Sequence, residues 1–89
     1  MTKKNDEIIN ELFELIASMD CAEDCKALFN DLCTIKEIEQ MAQRVKAAKL
    51  LMEGKTYNQV IEATDISSAT LSRVSRCVQY GEGYSKFLK

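Results

Sequence analysis

The side chains best suited to chemistry in this chain lie on one face of a predicted helix that begins after Ser67. They are small or hydrogen-bonding near the start of that helix and cationic further along: Ser68, Ala69, Thr70, Ser72, Arg73 and Arg76. Hydroxyl and guanidinium groups can bond base edges and phosphates, and a recognition helix places its N-terminal residues in the major groove of DNA. The face therefore predicts contact with double-stranded DNA.

A short amphipathic pattern precedes this helix and must help to position it. Thr56 and Gln59 have the spacing of a capping box, which predicts the start of a first helix. That pattern is too short for a free-standing helix and stops at the polar break Thr64-Asp65-Ile66. Asp65 stands where glycine is usual in such turns, but Asp tolerates the left-handed conformation better than most residues.

The second pattern begins with Ser67 as its predicted N-cap. Its apolar residues recur at helical spacing: Leu71, Val74 and Val78. Gly81 ends it and suits a left-handed C′ position. Residues 56–80 together predict a helix-turn-helix, and the alternative is a pair of capped helices in an ordinary helical domain with a solvated Ser/Arg face.

The composition indicates one small, all-α domain. The chain has 89 residues, 46% of them apolar, with no Pro and three Gly. No run of alternating β-branched residues predicts a strand. A single chain of this length buries a limited fraction of its surface, so oligomerisation is the expected use of so much apolar area.

Charge is distributed unevenly along the chain, although the net charge is only −2. Residues 1–33 contain three Lys/Arg and eight Asp/Glu, a balance of −5, whereas residues 34–89 contain nine and six, a balance of +3. The basic surplus thus accompanies the predicted helix-turn-helix, as expected of a nucleic-acid-binding half, unless it is scatter on solvated faces.

The N-terminal third predicts two helices. The first, from Asp6 to Ser18, has an apolar surface wider than one core requires: Ile8, Ile9, Leu12, Phe13, Leu15, Ile16 and Met19. A second chain, or deep burial within one subunit, would cover the extra surface. Asp20 and Glu23 predict a capping box for the second helix. Its apolar line is Cys25, Leu28, Phe29, Leu32 and Cys33.

The four cysteines predict no metal site and no cofactor. Cys21, Cys25, Cys33 and Cys77 show no C-x-x-C spacing, and the chain has no histidine. With no signal peptide and no apolar run of roughly 18 residues, we expect a cytoplasmic protein with reduced thiols and no membrane partner. Cys21 and Cys25 lie one helical turn apart, so a redox or soft-metal sensor remains a further hypothesis.

Thr34 and Glu37 predict a capping box that opens the longest helix, which Gly54 ends at C′. The apolar pattern that predicts this helix is Ile35, Ile38, Met41, Ala42, Val45, Ala48, Leu51 and Met52. Its polar face carries Arg44, Lys46 and Lys49, which either contact phosphate or are solvated. Residues 81–89 predict a short closing helix with one apolar face formed by Tyr84, Phe87 and Leu88. No catalytic constellation accompanies these elements, so an enzyme is not expected.

With these elements in place, the chain resembles the tryptophan-repressor superfamily, and within it the small YerC/YecD-type branch. The resemblance covers about residues 8–88 and is most specific in two segments, CTIKEIEQMAQRVKAAKLLMEGKTY and SSATLSRVSRCVQYG. It implies an all-α homodimer whose N-terminal helices interlock. The single domain 1–89 would then comprise dimerisation helices (1–33), a long central helix (34–54), the helix-turn-helix (56–80) and a short C-terminal helix (81–89).

The resemblance also implies an effector pocket. Thr34, Arg44 and Arg73 match residues that help to form the amino-acid pocket of the tryptophan repressor. Val74 replaces a glycine of that pocket and Cys77 replaces a serine. A valine side chain would intrude where a flat indole should lie, so tryptophan is a poor candidate, and another ligand or none is expected.

The leading hypothesis is a homodimeric, sequence-specific transcriptional regulator, a repressor, that binds double-stranded DNA. The predicted DNA-binding residues are Thr56, Asn58, Gln59, Ser67, Ser68, Ala69, Thr70, Ser72, Arg73 and Arg76. Two recognition helices of a dimer must lie about 34 Å apart to enter successive major grooves. The alternative is a protein-interaction module that keeps this scaffold without specific DNA binding.

Overall fold

The computed structural model describes residues 3–88, and every regular element in that range is a helix, which confirms the all-α prediction with six helices. The helices are α1 (Lys3–Ala17), α2 (Ala22–Leu32), α3 (Ile35–Met52), α4 (Tyr57–Thr64), α5 (Ser68–Tyr80) and α6 (Gly83–Phe87). They form two compact units, Met1–Thr34 and Ile35–Lys89. Residues 1, 2 and 89, which the predicted domain 1–89 includes, lie outside the described residues.

The N-terminal unit contains α1 and α2, and neither helix has a buried residue among those described. On α1 the apolar side chains remain accessible in the single chain, and Phe13 keeps 61% of its surface exposed. The Ser18 N–H donates to Glu14 O at 3.1 Å and its hydroxyl donates to Leu15 O at 2.6 Å, so α1 ends with its last carbonyls satisfied. The helix is therefore well formed while its wide apolar surface is uncovered.

The predicted capping box of Asp20 and Glu23 is wrong. The N-cap of α2 is Cys21, because the N–H of Cys25 bonds the Cys21 carbonyl at 3.3 Å and so sets the first helical turn one residue later. Cys21 makes no side-chain cap hydrogen bond, as expected of a thiol, which is a weak acceptor. Glu23 and Asp24 still lie in the first turn, where their charge complements the helix dipole.

The long helix α3 begins at Ile35, directly after Thr34, and ends where the sequence predicts. Gly54 adopts a left-handed conformation with φ +89°. The N–H of Gly54 donates to Leu51 O at 3.0 Å and that of Lys55 donates to Leu50 O at 3.1 Å, which is the Schellman pattern. At about 1.5 Å per residue, α3 is a rod of about 27 Å on which the helix-turn-helix can be mounted.

The core of the C-terminal unit lies where α3 meets α4 and α5. Its buried residues are Ala47, Ala48, Val60, Ile66, Leu71 and Val74. The two alanines of α3 are fully buried, and their small side chains let the other helices approach closely. This packing fixes α4 and α5 against α3 and leaves their opposite faces free.

The short helix α6 docks on this core, but with a different face from the one predicted. Tyr84 and Leu88 pack against the buried residues, whereas Phe87 remains 76% exposed with the Lys86 ammonium 5.4 Å from its ring centroid. A helix of five residues has no stripe of its own long enough to set its orientation, so docking on α3 and α5 decides which side chains are covered.

The predicted left-handed conformation of Gly81 is also wrong. Gly81 caps α5 in an extended conformation, φ −87° and ψ 175°, which other residues can adopt. Glycine is needed there for space, because a Cβ atom would lie 2.7 Å from the Cys77 carbonyl oxygen. The chain turns from α5 toward α6 through this close backbone approach.

Candidate nucleic-acid interface

The first helix of the predicted helix-turn-helix, α4, starts with the predicted capping box. The Thr56 hydroxyl oxygen accepts from the Gln59 N–H at 3.2 Å, and Gln59 Oε1 accepts from the Thr56 N–H at 2.9 Å. The box leaves the Thr56 hydroxyl proton and the Gln59 amide N–H groups available for donation. Asn58 lies in the same exposed turn, so α4 begins with three side chains able to donate to phosphate.

The turn between α4 and α5 is held by hydrogen bonds and by one apolar anchor. Asp65 adopts the left-handed conformation with φ 59°, and its N–H bonds Ile61 O at 2.8 Å. The Thr64 hydroxyl donates to Val60 O at 2.8 Å and accepts from the Ile66 N–H at 3.3 Å. Ile66 is buried in the core. The polar break is thus a rigid turn between the two helices.

The second helix, α5, starts at its predicted N-cap. The Ser67 hydroxyl oxygen accepts from the Thr70 N–H at 3.2 Å. One face of α5 enters the core through Leu71 and Val74, with Val78 packed beside them. The predicted DNA-binding side chains of α5 lie away from that face. Those exposed to solvent are Ser68, Ala69, Ser72, Arg73 and Arg76, and Thr70 is half-buried at the border.

The charge of α5 suits a polyanion. The helix carries two arginines and no Asp or Glu. Its N-terminus also presents backbone N–H groups and the positive end of the helix dipole, which favour anions. Hydroxyl groups near the start and guanidinium groups one to two turns later therefore form one donor surface, exposed except at the half-buried Thr70, which we call the α5 donor face (Ser68, Thr70, Ser72, Arg73 and Arg76).

Arg44 and Arg73, two of the three predicted effector residues, are brought to one cleft between α3, α5 and α6. The cleft has a volume of about 440 Å³. It is lined by Arg44, Ala69, Thr70, Arg73, Val74, Cys77 and Tyr84. The described lining includes no acidic side chain, so the site favours an anionic group. Thr34 belongs to the N-terminal unit, and its part in the pocket stays a prediction.

The walls of this cleft include one residue that the sequence assigned only to the core. Tyr84 of α6 packs on the buried residues and also lines the cleft. Val74 is only 2% exposed, so its side chain fills core space beside the cleft. The position of Tyr84 depends on how α6 docks, which no periodicity in the sequence could have revealed.

A second cleft, of about 340 Å³, lies between α3 and the turn of the helix-turn-helix. Its lining residues are Gln40, Gln43, Arg44, Asp65, Ile66, Ser67 and Thr70. Gln40 and Gln43 were missed by the sequence reasoning. Gln40 precedes Gln43 by three residues and Arg44 by four, and this spacing was the available signal that the three side chains share a polar edge of α3.

The cysteines remain free, and the structure groups only one of the two proposed sensor thiols with other potential ligands. Cys21 is exposed and Cys25 is half-buried. Potential ligand atoms of Asp20, Cys21 and Asp24 lie within 4.8 Å of one another, and all three residues are exposed. Exposed acidic groups commonly cluster in this way without an ion, so the sensor hypothesis gains no support.

Across residues 3–88, none of the helices combines the length and the apolar character that crossing a bilayer requires.

Comparison with known proteins places this geometry in a family. The model of the family described as Trp repressor protein matches residues 7–89. A Bacillus subtilis (strain 168) protein, YerC, itself uncharacterised, is 47% identical over 73 residues, which are 82% of this chain and 70% of YerC.

Two crystal structures share the fold. One is a candidate Trp repressor from Staphylococcus aureus, with a TM-score of 0.88 and 34% identity over 99% of this chain and 92% of that one. The other is a TrpR-like protein from Eubacterium eligens ATCC 27750, with a TM-score of 0.86 and 40% identity over 90% of this chain and 84% of that one. The chain therefore belongs to the Trp repressor family of helical regulators, in its YerC-like branch.

Proposed function

We propose that this chain is a sequence-specific DNA-binding transcriptional repressor that acts as a homodimer. The observation that supports the proposal most strongly is the α5 donor face. It is exposed, is free of carboxylates, and lies opposite a core face held by Leu71 and Val74. Membership of a family of Trp repressors supports regulation, and supports repression rather than activation.

Each predicted DNA-binding residue has a role that its position suits. The start of α5 meets base edges through Ser68, Ala69, Thr70, Ser72 and Arg73. Flanking phosphates are bonded by Thr56, Asn58 and Gln59, with Arg76 further along α5, and Ser67 caps the start of α5 beside the bases. Because few cations lie on this surface, the affinity falls only modestly with salt: log Kd rises by about 0.9 per unit of log salt concentration for each phosphate that a lysine or arginine neutralises.

The homodimer is supported by the uncovered apolar surface of the N-terminal unit. Ile8, Phe13 and Leu15 of α1 are all exposed in the single chain. Interlocking α1 and α2 of two chains would cover such a surface. To enter successive major grooves, the two α5 helices of the dimer must lie about 34 Å apart, which is one turn of DNA. The operator then has two-fold symmetry.

Regulation by a small molecule is a separate part of the proposal. Arg44 and Arg73 face one cleft of the C-terminal unit, and this cleft is the proposed effector pocket. The two guanidinium groups and the absence of acidic side chains from the described lining suit an anionic effector.

Selection from a pool of random DNA duplexes at low salt tests the function. We expect enrichment of a sequence with two related half-sites whose centres lie 10 to 10.5 base pairs apart, as two helices in successive grooves require. A pool with no enriched sequence would instead support the protein-interaction module, for which the acidic, apolar N-terminal unit is the available surface.

A further inference from the structure

Two hydroxyl side chains are paired at the N-terminus of α5. The Ser67 oxygen accepts from the Thr70 N–H at 3.2 Å, and the two hydroxyl oxygens lie 2.9 Å apart. Because Ser67 Oγ already accepts one hydrogen bond, the bond between the hydroxyls is assigned with Ser67 as the donor and Thr70 Oγ1 as the acceptor. Ser67 has a single proton to donate. That proton is used inside the helix, so Ser67 can donate to DNA only by giving up its bond to Thr70.

The other cap of the helix-turn-helix is built differently. At α4, the Thr56 oxygen also accepts from an N–H three residues later, but the return bond runs from the Thr56 N–H to the Gln59 side chain. That box uses no hydroxyl proton. Helix capping alone therefore does not require the bond between Ser67 and Thr70. The residue that this bond affects, Thr70, belongs to the α5 donor face.

The bond from Ser67 leaves the hydroxyl proton of Thr70 available for donation. Oγ1 of Thr70 accepts from Ser67, and within residues 3–88 its own proton has no acceptor. A hydroxyl that accepts one hydrogen bond becomes a stronger donor in the next, because hydrogen-bonded chains polarise one another. Thr70 is also half-buried, which restricts its rotamer, and the cleft of about 340 Å³ that it lines with Ser67 keeps the pair within reach of a ligand.

We propose that Ser67 is a positioning residue that presents the Thr70 hydroxyl as a hydrogen-bond donor to an acceptor on double-stranded DNA, an inference that rests on the DNA-binding function proposed above. The acceptor is a base-edge atom in the major groove, such as guanine O6 or N7, adenine N7 or thymine O4, or a phosphate oxygen. Ser67 then contributes to DNA recognition through Thr70 and not through a contact of its own.

A double-mutant cycle on the full chain, measured with the duplex selected from the random pool, tests this inference. Thr70→Val keeps the shape of the side chain and removes the hydroxyl. Ser67→Gly removes the hydroxyl at a position where glycine is nearly as good an N-cap as serine. We expect Kd to rise about 10-fold for Thr70→Val and about 5-fold for Ser67→Gly, the range of one lost hydrogen bond.

The double variant shows whether Ser67 acts through Thr70 or independently of it. If Ser67 acts through Thr70, Ser67→Gly adds no more than about 2-fold to the loss caused by Thr70→Val. Thr70→Ser and Ser67→Thr keep both hydroxyls and stay within about 3-fold of the parent. Thermal unfolding of each variant is followed by circular dichroism, because a purely structural cap would change stability and affinity whatever residue occupies position 70.

Duplexes with single base-pair changes separate the two kinds of acceptor. Thr70→Val relaxes discrimination at one position if the acceptor is a base, and weakens all duplexes equally if it is a phosphate. The inference is overturned if the two losses multiply, to about 50-fold in the double variant, or if Ser67→Gly binds like the parent. If the parent chain enriches no duplex, the proposed DNA-binding function is wrong. That result is distinct from losses that multiply in the double variant, which would overturn only the role given to Ser67.

Discussion

Arg73 belongs to two surfaces of the C-terminal unit. It is exposed on the α5 donor face, and it also lines the cleft that contains Arg44. A guanidinium group has five donors in a planar fork and can bond a base or phosphate with one edge while its other edge faces an anion. A ligand in the cleft would therefore act on DNA binding through Arg73 directly.

Replacement of Arg73 should weaken specific DNA binding. We expect Arg73→Ala to raise Kd for the selected duplex by about 10- to 100-fold, since a good base or phosphate contact by arginine contributes about 1–3 kcal/mol. Lys86→Ala is the matched control, because it removes one cation from α6, outside the predicted interface. Fluorescence anisotropy measures both, and equal losses in the two variants would mean that only net charge matters.

The buried side chain of Val74 should contribute to the stability of the fold. Val74→Ala removes two buried methyl groups and leaves a partly relaxed cavity, so we expect the free energy of unfolding to fall by about 2 kcal/mol. Ser72→Ala, on the exposed side of the same helix, should change it by less than about 0.5 kcal/mol. Urea denaturation measures the difference, and similar values for the two variants would contradict the buried position of Val74.

At the scale of the helices, the sequence predicted those caps that depend only on local spacing. Thr56 and Ser67 each bond an N–H three residues later, and a pattern of four residues contains all the partners. Gly54 was predicted equally well because its left-handed conformation follows directly from the end of α3. The turn at Asp65 belongs to the same class, since its conformation is tied to the last turn of α4.

The helix ends that the sequence missed depend on distant or competing contacts. The spacing of Asp20 and Glu23 predicts a capping box, but the first hydrogen bond of α2 is accepted by the Cys21 carbonyl. Gly81 was assigned a left-handed conformation, whereas its small size is needed near the Cys77 carbonyl. The cleft that Gln40 lines forms only when α3 packs on the turn, which spacing along one helix does not show.

The role of Gly54 in ending α3 can be tested by substitution. Gly54→Ala should lower the free energy of unfolding by about 1 kcal/mol, because a side chain is strained in the left-handed conformation even where no atom obstructs it. Gly83→Ala is the control, since its Cβ would also meet open space and its φ is not positive. Equal stability of the two variants by thermal unfolding would contradict the role given to Gly54.

At the scale of the whole molecule, the two units differ in charge and in burial. Residues 1–33 have a balance of −5 and residues 34–89 a balance of +3. The C-terminal unit contains every buried residue of the described chain, whereas the N-terminal unit leaves large apolar side chains accessible. We infer that the acidic unit serves assembly and the basic unit serves DNA, which matches the proposed division of the homodimer.

The proposed dimer predicts that a charge introduced at two exposed aromatic residues has different effects on dimerisation. Phe13→Asp should shift the chain from dimer to monomer, because it places a charge in the surface that the second copy would cover. Phe87→Asp, which changes an even more exposed ring on α6, should leave the dimer intact. Analytical ultracentrifugation measures both, and a Phe13→Asp variant that remains dimeric would place the interface elsewhere.

The proposed function requires the chain to discriminate between DNA sequences through the α5 donor face. The most direct measurement is the ratio of Kd values for a scrambled duplex and the selected duplex, determined at the same salt concentration. A specific regulator should give a ratio of about 1,000 or more, and the ratio should fall when Arg73 is replaced by alanine. A ratio near one for the parent chain would contradict the proposed function.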